Sequence, residues 1–218
     1  GALVGSSGAG KATLAAIVAG LRIADSGEVR VGGVDLTVDA EAARGRTVAL
    51  VTQEVHVFEG TLREDLTLAA PDAAAQSDDA IHDALARVGA TPWVRRLPDG
   101  LDTIVGHGGL RLDPVAAQQV ALARVLLSDP PVVVLDEATA EAGSSGADAL
   151  AGAALEVPRG RTALIVAHRL DQAAAADRVV VMEDGRIVEE GPHPELVSAG
   201  GRYARLWGAW SEGRRRQE

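Results

Sequence analysis

The chain has no cysteine, so neither a disulfide framework nor thiol catalysis is available to it. It also has no basic excess: 21 Lys and Arg stand against 31 Asp and Glu, for a net charge of -10. A general nucleic-acid binder needs a broad basic face to neutralise phosphates, and this balance does not supply one. The single basic run, Arg214–Arg216, reads as a solvated tail. Long hydrophobic runs are missing too. "PPVVVL" and "RVVVM" are of buried-strand length, far short of the ~18 residues that span a bilayer. There is no initiator Met and no charged leader, so the chain is expected to be a piece of a longer polypeptide that reaches any membrane through another segment or subunit. No internal repeat is visible, and the Ala-rich patches read as ordinary helix filler. The 218 residues suffice for one large domain, with room for a subdomain and a core that needs no staples.

What is present begins at "LVGSSGAGKATLAAIVAGL", residues 3 to 21. Gly5, Gly10 and Lys11 have the G-x-x-x-x-G-K spacing of a phosphate-binding loop. Ala2-Leu3-Val4 reads as a short buried strand, and Leu14, Ile17, Val18 and Leu21 recur at helical spacing from near Lys11. Strand, glycine loop and helix are the context such a loop requires. Its successive N–H groups point inward, and the helix N-terminus adds partial positive charge. Gly5, Ser6, Ser7, Gly8, Ala9, Gly10, Lys11, Ala12 and Thr13 are therefore the candidate nucleotide-binding residues. The position after the lysine should carry a hydroxyl for magnesium, but it is Ala12, with Thr13 one residue late.

Further along, "GEVRVGGVDL" (27–36) predicts a hairpin with a Gly-Gly turn, and "RTVALVTQ" (46–53) an apolar strand ending at Gln53. Between Glu59 and about Pro114 no strand pattern is evident. Helical periodicity through Ile81, Leu85 and Val88 predicts an inserted helical subdomain over 59–114, dividing a core of 1–58 and 115–218. Strand rhythm returns in "PVVVLDEAT" (131–139), "RTALIVAH" (161–168) and "DRVVVMEDGRIVEEG" (177–191), with helical stretches between. The fold class is accordingly α/β, a parallel-sheet core with an α-helical insertion. Val132–Leu135 would deliver Asp136 and Glu137 at a strand's C-terminal end, where one carboxylate organises magnesium and its neighbour positions or deprotonates water.

Taken together, these motifs resemble the nucleotide-binding domain of ATP-binding cassette (ABC) transporters over nearly the whole chain. Gly5–Thr13 is similar to the Walker A loop of a P-loop NTPase, Gln53 to the Q-loop glutamine, and "VVVLDEAT" to Walker B with a catalytic Glu137. His168 in "IVAHRL" resembles the switch histidine. "VHVFEGTLREDL" (55–66) and "GRIVEEGPHPEL" (185–196) resemble the exporter branch. The resemblance implies ATP and Mg2+ as ligands. Asp136 and Gln53 would hold the metal, Glu137 would act as base toward the attacking water, and His168 would contact the γ-phosphate. It also implies a transmembrane partner domain, a second nucleotide-binding domain and a place at the cytoplasmic face of a membrane. The family's first residues, including the aromatic that stacks on adenine, are missing from this sequence.

Three departures matter. The family's L-S-G-G-Q signature, which clasps the γ-phosphate bound to the opposite subunit, is replaced by Leu112-Asp113-Pro114-Val115-Ala116. Asp113 brings a negative charge, Pro114 has no N–H, and Val115 adds a branched side chain where backbone must approach closely. The D-loop, usually S-A-L-D, reads Ala140-Glu141-Ala142-Gly143. His107 stands where exporters usually carry Glu, and like His56, His82 and His193 it reads as exposed or structural. Trp207 and Trp210, with Tyr203 and Leu206, read as packing anchors of a C-terminal helix. The pattern suggests the asymmetric half of a heterodimer, whose own Walker motifs work with a partner's intact signature. An ATP-binding pseudoenzyme is the alternative, favoured by Ala12 and the lost signature and disfavoured by the retention of Gln53, Glu137 and His168.

Overall fold

A computed structural model describes residues 1–36, 47–52, 54–72, 74–136, 144–167 and 169–215. Its centre is a six-stranded sheet in the order β10-β9-β1-β8-β7-β4. The strands are β1 (Ala2–Val4), β4 (Val48–Val51), β7 (Val132–Asp136), β8 (Thr162–Val166), β9 (Val179–Glu183) and β10 (Arg186–Gly191). All neighbouring pairs are parallel except β9 with β10. The 177–191 stretch is thus two strands, not one, folded back on each other at Asp184–Gly185.

Parallel strands covered on both faces carry unbroken apolar runs, and β7 does so. Val134 faces the side packed by α1 (Lys11–Val18), together with Leu3, Ala15 and Val166. Val133 and Leu135 face the other side, with Val120, Leu122 and Ala123 of α5 (Pro114–Ser128) and Leu150 and Ala153 of α6 (Ser144–Glu156). The result is a three-layer α/β/α arrangement. At the β9 end, Ala2, Val4, Val179 and Val181 pack with Ala173, Leu196 and Tyr203 from α7 (Leu170–Ala174), α8 (His193–Ser198) and α9 (Arg202–Arg215).

The expected 27–36 hairpin is present as β2 (Arg30–Val31) and β3 (Val34–Asp35), with Gly32 and Gly33 at φ 58° and 83°, the double left-handed turn that only glycine enters cheaply. The 59–114 stretch carries α2 (Leu62–Thr67), α3 (Asp78–Arg87) and α4 (Thr91–Val94). The expectation of no strand in this stretch is corrected: β5 (Gly60–Thr61) pairs antiparallel with β6 (Ile104–Val105). Two-residue strands are too short to leave a periodic signal. Leu62, Leu66, Ile81, Leu85 and Val88 are all buried and share one apolar cluster with α5 and the sheet. Among the described residues no helix is long and apolar enough to cross a membrane.

Candidate functional site

β1 is wholly buried and hands the chain to Gly5 at the carboxyl end of the sheet. Gly5 has no room for a side chain, since a Cβ there would stand 2.3 Å from the Met182 carbonyl oxygen. Gly10, at φ 94°, precedes α1 in the left-handed conformation, and no side chain among the described residues caps the helix. The first α1 bond reaching back to the loop is Leu14 N–H to the Gly10 carbonyl, at 2.9 Å. Among the described residues, the first-turn amides of α1 are therefore left without a side-chain acceptor, at the positive end of the helix dipole. Lys11 is buried and turns back over the loop, its Nζ donating to the Gly5 and Ser6 carbonyls at 2.9 Å each. Ala12 and Thr13 are exposed. Ala12 offers no oxygen, and the Thr13 hydroxyl is displaced by ~100° around the helix.

Asp136 ends β7 at half burial. The register puts both Asp136 and Leu3 opposite Val166 of β8. The carboxylate thus lies two strand spacings, ~10 Å, from the strand that carries the loop, at the same sheet end. That is where ligands bind open parallel sheets. These residues fit a nucleotide with magnesium: free amides and an ammonium for phosphate, one hard carboxylate for a metal that shares its shell with phosphates and water. Gln53, Glu137, His168 and the Ala140–Gly143 segment lie outside the described residues. In the chain, Glu137 directly follows Asp136, and Gln53 and His168 follow β4 and β8 by two residues.

The start of α5 contrasts with that of α1. Asp113 is its N-cap, and Oδ1 accepts from the Ala116 N–H at 2.8 Å. Pro114 occupies the first turn, where its missing N–H costs nothing. Leu112 and Val115 are half-buried against the core, and Ala116 is buried. The residues expected in place of the signature therefore form a good helix start: the carboxylate expected to face a phosphate is turned onto its own helix.

Of the histidines, His82 and His107 are exposed, and His56 is an exposed ring edge-on to Phe58 at 4.9 Å. His193 Nδ1 shares a 2.8 Å hydrogen bond with the Tyr203 hydroxyl and packs against Trp207 at 4.5 Å, a structural role. Burial pushes the Tyr203 phenol above its ordinary value. Sequence reasoning missed a buried ion pair, Arg124–Asp65 at 2.8 Å, which holds the stretch after Gln53 to α2 and α5. Pairing across 59 positions leaves no local signal.

A glycine loop running into an uncapped helix, beside a strand-end carboxylate on a mostly parallel sheet, defines an α/β domain of the P-loop NTPase type. Residues 1–140 match the family model of the ABC transporter, and the chain belongs to that family. It is 41% identical over 206 residues to the mycobactin import ATP-binding/permease protein IrtB of Mycolicibacterium thermoresistibile, covering 94% of this chain and 35% of that protein. It is 42% identical over 212 residues to mycobactin import ATP-binding/permease protein IrtA of Mycobacterium tuberculosis, covering 94% of this chain and 24% of that one. An ATP-dependent lipid A-core flippase of Vibrio vulnificus is 40% identical over 206 residues, at 94% and 35% coverage. The chain spans about a third or less of the length of these curated relatives.

Proposed function

We propose that this chain binds ATP with magnesium and hydrolyses it to power a transporter of the exporter architecture, as one unequal half of a nucleotide-binding pair. In this reading residues 1–58 and 115–218 are the ATPase core and 59–114 a helical subdomain. The loop amides and Lys11 hold the phosphates, Asp136 and Gln53 hold magnesium, and His168 contacts the γ-phosphate. Glu137 takes the proton of the attacking water. The metal, when bound, neutralises charge on the phosphates. A transmembrane domain, in the same polypeptide or a separate subunit, supplies transport and sets the chain at the cytoplasmic membrane face. Supporting that partner is an apolar groove of about 280 Å3 lined by Ala19, Leu21, Val48, Val51, Ala69 and Arg124. Leu21, Ile23 and Leu68 are 64%, 80% and 62% exposed.

The observation that carries the asymmetric reading is the unlike pair of helix starts. Among the described residues nothing caps the N-terminus of α1, which leaves it open to an anion, whereas that of α5 is occupied by Asp113 and lacks the Pro114 N–H. Two copies of this chain would close each site with an occupied α5. A different partner, with an intact signature, would complete the site at Lys11 and Glu137. The Asp113 segment would then cover a partner site that binds ATP without useful turnover. Ala12, with no magnesium-binding oxygen, favours a second reading, a nucleotide-binding regulator with little hydrolysis. The test compares ATPase rates of this chain alone and with its natural partner, each with and without Glu137→Gln. The expected result is a near-background lone chain and an active pair that Glu137→Gln silences. Robust hydrolysis by the lone chain refutes the asymmetry, and an inactive pair that still binds ATP supports the regulator.

A further inference from the structure

Behind the phosphate loop stands a hairpin to which the proposed chemistry assigns no role. β9 and β10 join through Asp184 and Gly185, both in the left-handed region at φ 49° and 74°, the geometry of a two-residue hairpin turn. One hydrogen bond and two close approaches, each leaving no room for a side chain or little of it, join it to the loop. The Gly185 N–H donates to the Ala9 carbonyl at 3.1 Å. The Met182 carbonyl oxygen occupies the space a Gly5 side chain would need, 2.3 Å from the Cβ position. A Cβ on Gly10 would meet Gly185 Cα at 3.4 Å and the Met182 methyl at 3.6 Å. Ala9 and Met182 are only 2% and 5% exposed, so these contacts are packed. The hairpin is braced from its far side by α9. Glu189 accepts from the Arg202 and Tyr203 amides, the latter at 2.8 Å, and Glu183 pairs with Arg202.

We propose that Met182 and Gly185 are positioning residues for the phosphate loop, a wall that holds its amides in a nucleotide-ready arrangement; this rests on the nucleotide reading above. Glycine loops lose more conformational freedom on ordering than other segments. A loop with three glycines at positive φ therefore needs an external template if it is to be formed before the nucleotide arrives. Gly10 matters most here, because its conformation sets the direction of the first amides of α1. Met182 and Gly185 bound the space beside Gly10 that a side chain there would enter.

The test measures binding of a fluorescent ATP analogue with magnesium, and the 31P shift of bound ATP, on the intact protein and three variants. Met182→Ala removes the support under Gly10 and is expected to weaken binding about tenfold, the scale at which outer-shell supports act. It should also move the bound β-phosphate resonance toward its free position. Met182→Leu, similar in volume, is expected to restore binding to within about twofold. Asp184→Val places a β-branched side chain at φ 49°, a conformation it rarely adopts, and so distorts the exposed turn without touching the core; it carries the test if Met182→Ala folds poorly. Its expected effect is a weakening of about two- to fivefold, the effect of a strained turn on the loop it braces. A merely structural role would lower the melting temperature and leave affinity and 31P shift alone. Wild-type affinity and shift in Met182→Ala and Asp184→Val overturn the positioning role by itself. An intact protein with no saturable ATP binding overturns the nucleotide reading, and this inference with it.

Discussion

Replacing Asp65 with alanine tests how the segment that follows Gln53 is held. The Asp65 side chain is fully removed from solvent and that of Arg124 is 16% exposed. Asp65 Oδ1 accepts from the Phe58 N–H at 2.9 Å, and Oδ2 accepts from Arg124 Nη2 at 2.8 Å. Arg124 also donates to the His56 carbonyl at 2.8 Å, and its guanidinium lies 5.3 Å from the Phe58 ring centre. Its Nε is buried without a hydrogen-bond partner among the described residues. Alanine at position 65 therefore orphans the Phe58 amide and leaves a mostly buried cation with a single oxygen acceptor. Breaking such a pair from one side costs about 3–5 kcal/mol. For a protein of this size each kcal/mol moves the melting temperature by about 2–4 °C, giving a fall of about 6–20 °C. Thermal and urea unfolding of Asp65→Ala, and of the cycle Asp65→Leu, Arg124→Met and Asp65→Leu/Arg124→Met, measure it. The double variant is expected to be far more stable than the two single losses summed, because apolar replacement of both partners removes the uncompensated charge. A single variant within about 1 kcal/mol of wild type, or simple additivity, would refute the reasoning, since 1 kcal/mol is the range of exposed pairs.

Three further outcomes are expected. Ala12→Ser supplies the missing oxygen to the first turn of α1 and should raise the ATPase rate or lower the magnesium requirement of the assembled pair; unchanged magnesium titrations would mean that water replaces the hydroxyl fully. Asp113→Ala should cost about 1 kcal/mol of stability through the lost cap, whereas Asp113→Ser should cost almost none. Serine also removes a charge that would repel a phosphate at 4 Å by ~4 kcal/mol at an effective dielectric of ~20, so the serine variant should bind ATP more tightly at the site it covers, read by nucleotide titration of the pair. Acid stability follows from Glu64 and Asp78: the Thr61 backbone N–H holds the Glu64 carboxyl below its ordinary value, and the Arg63 hydrogen bond does the same for Asp78. Both folded-state values are depressed, so the stabilisation is present above the ordinary carboxylate range and lost as pH falls through it. Melting temperature against pH should drop less steeply between about pH 5 and 3 in Glu64→Gln.

Much of this protein was legible in the chain alone, and the reason is locality. The candidate phosphate loop from Gly5 to Lys11 is continuous, and its glycine spacing is a direct record of the backbone it must adopt. The unbroken apolar runs at 132–135 and 179–182 announce strands covered on both faces, and the 3.6-residue recurrence of Ile81, Leu85 and Val88 announces α3. Each signal is carried by neighbours a few residues apart. Tertiary structure decided what depends on distant residues. The strand order, which places Asp136 and Leu3 on either side of Val166, is such a case. The Asp184–Gly185 turn became a wall only when β9 came to lie beside β1. Arg124 found Asp65 through the packing of α2 on α5, and Tyr203 found His193 through the packing of α9 on α8. Asp113 lies between these cases. Its type and position are plain in the sequence, yet whether its carboxylate faces outward or folds onto the Ala116 amide is a rotamer choice. That choice depends on α5 beginning at Pro114, which the packing of Leu112, Val115 and Ala116 against the core brings about.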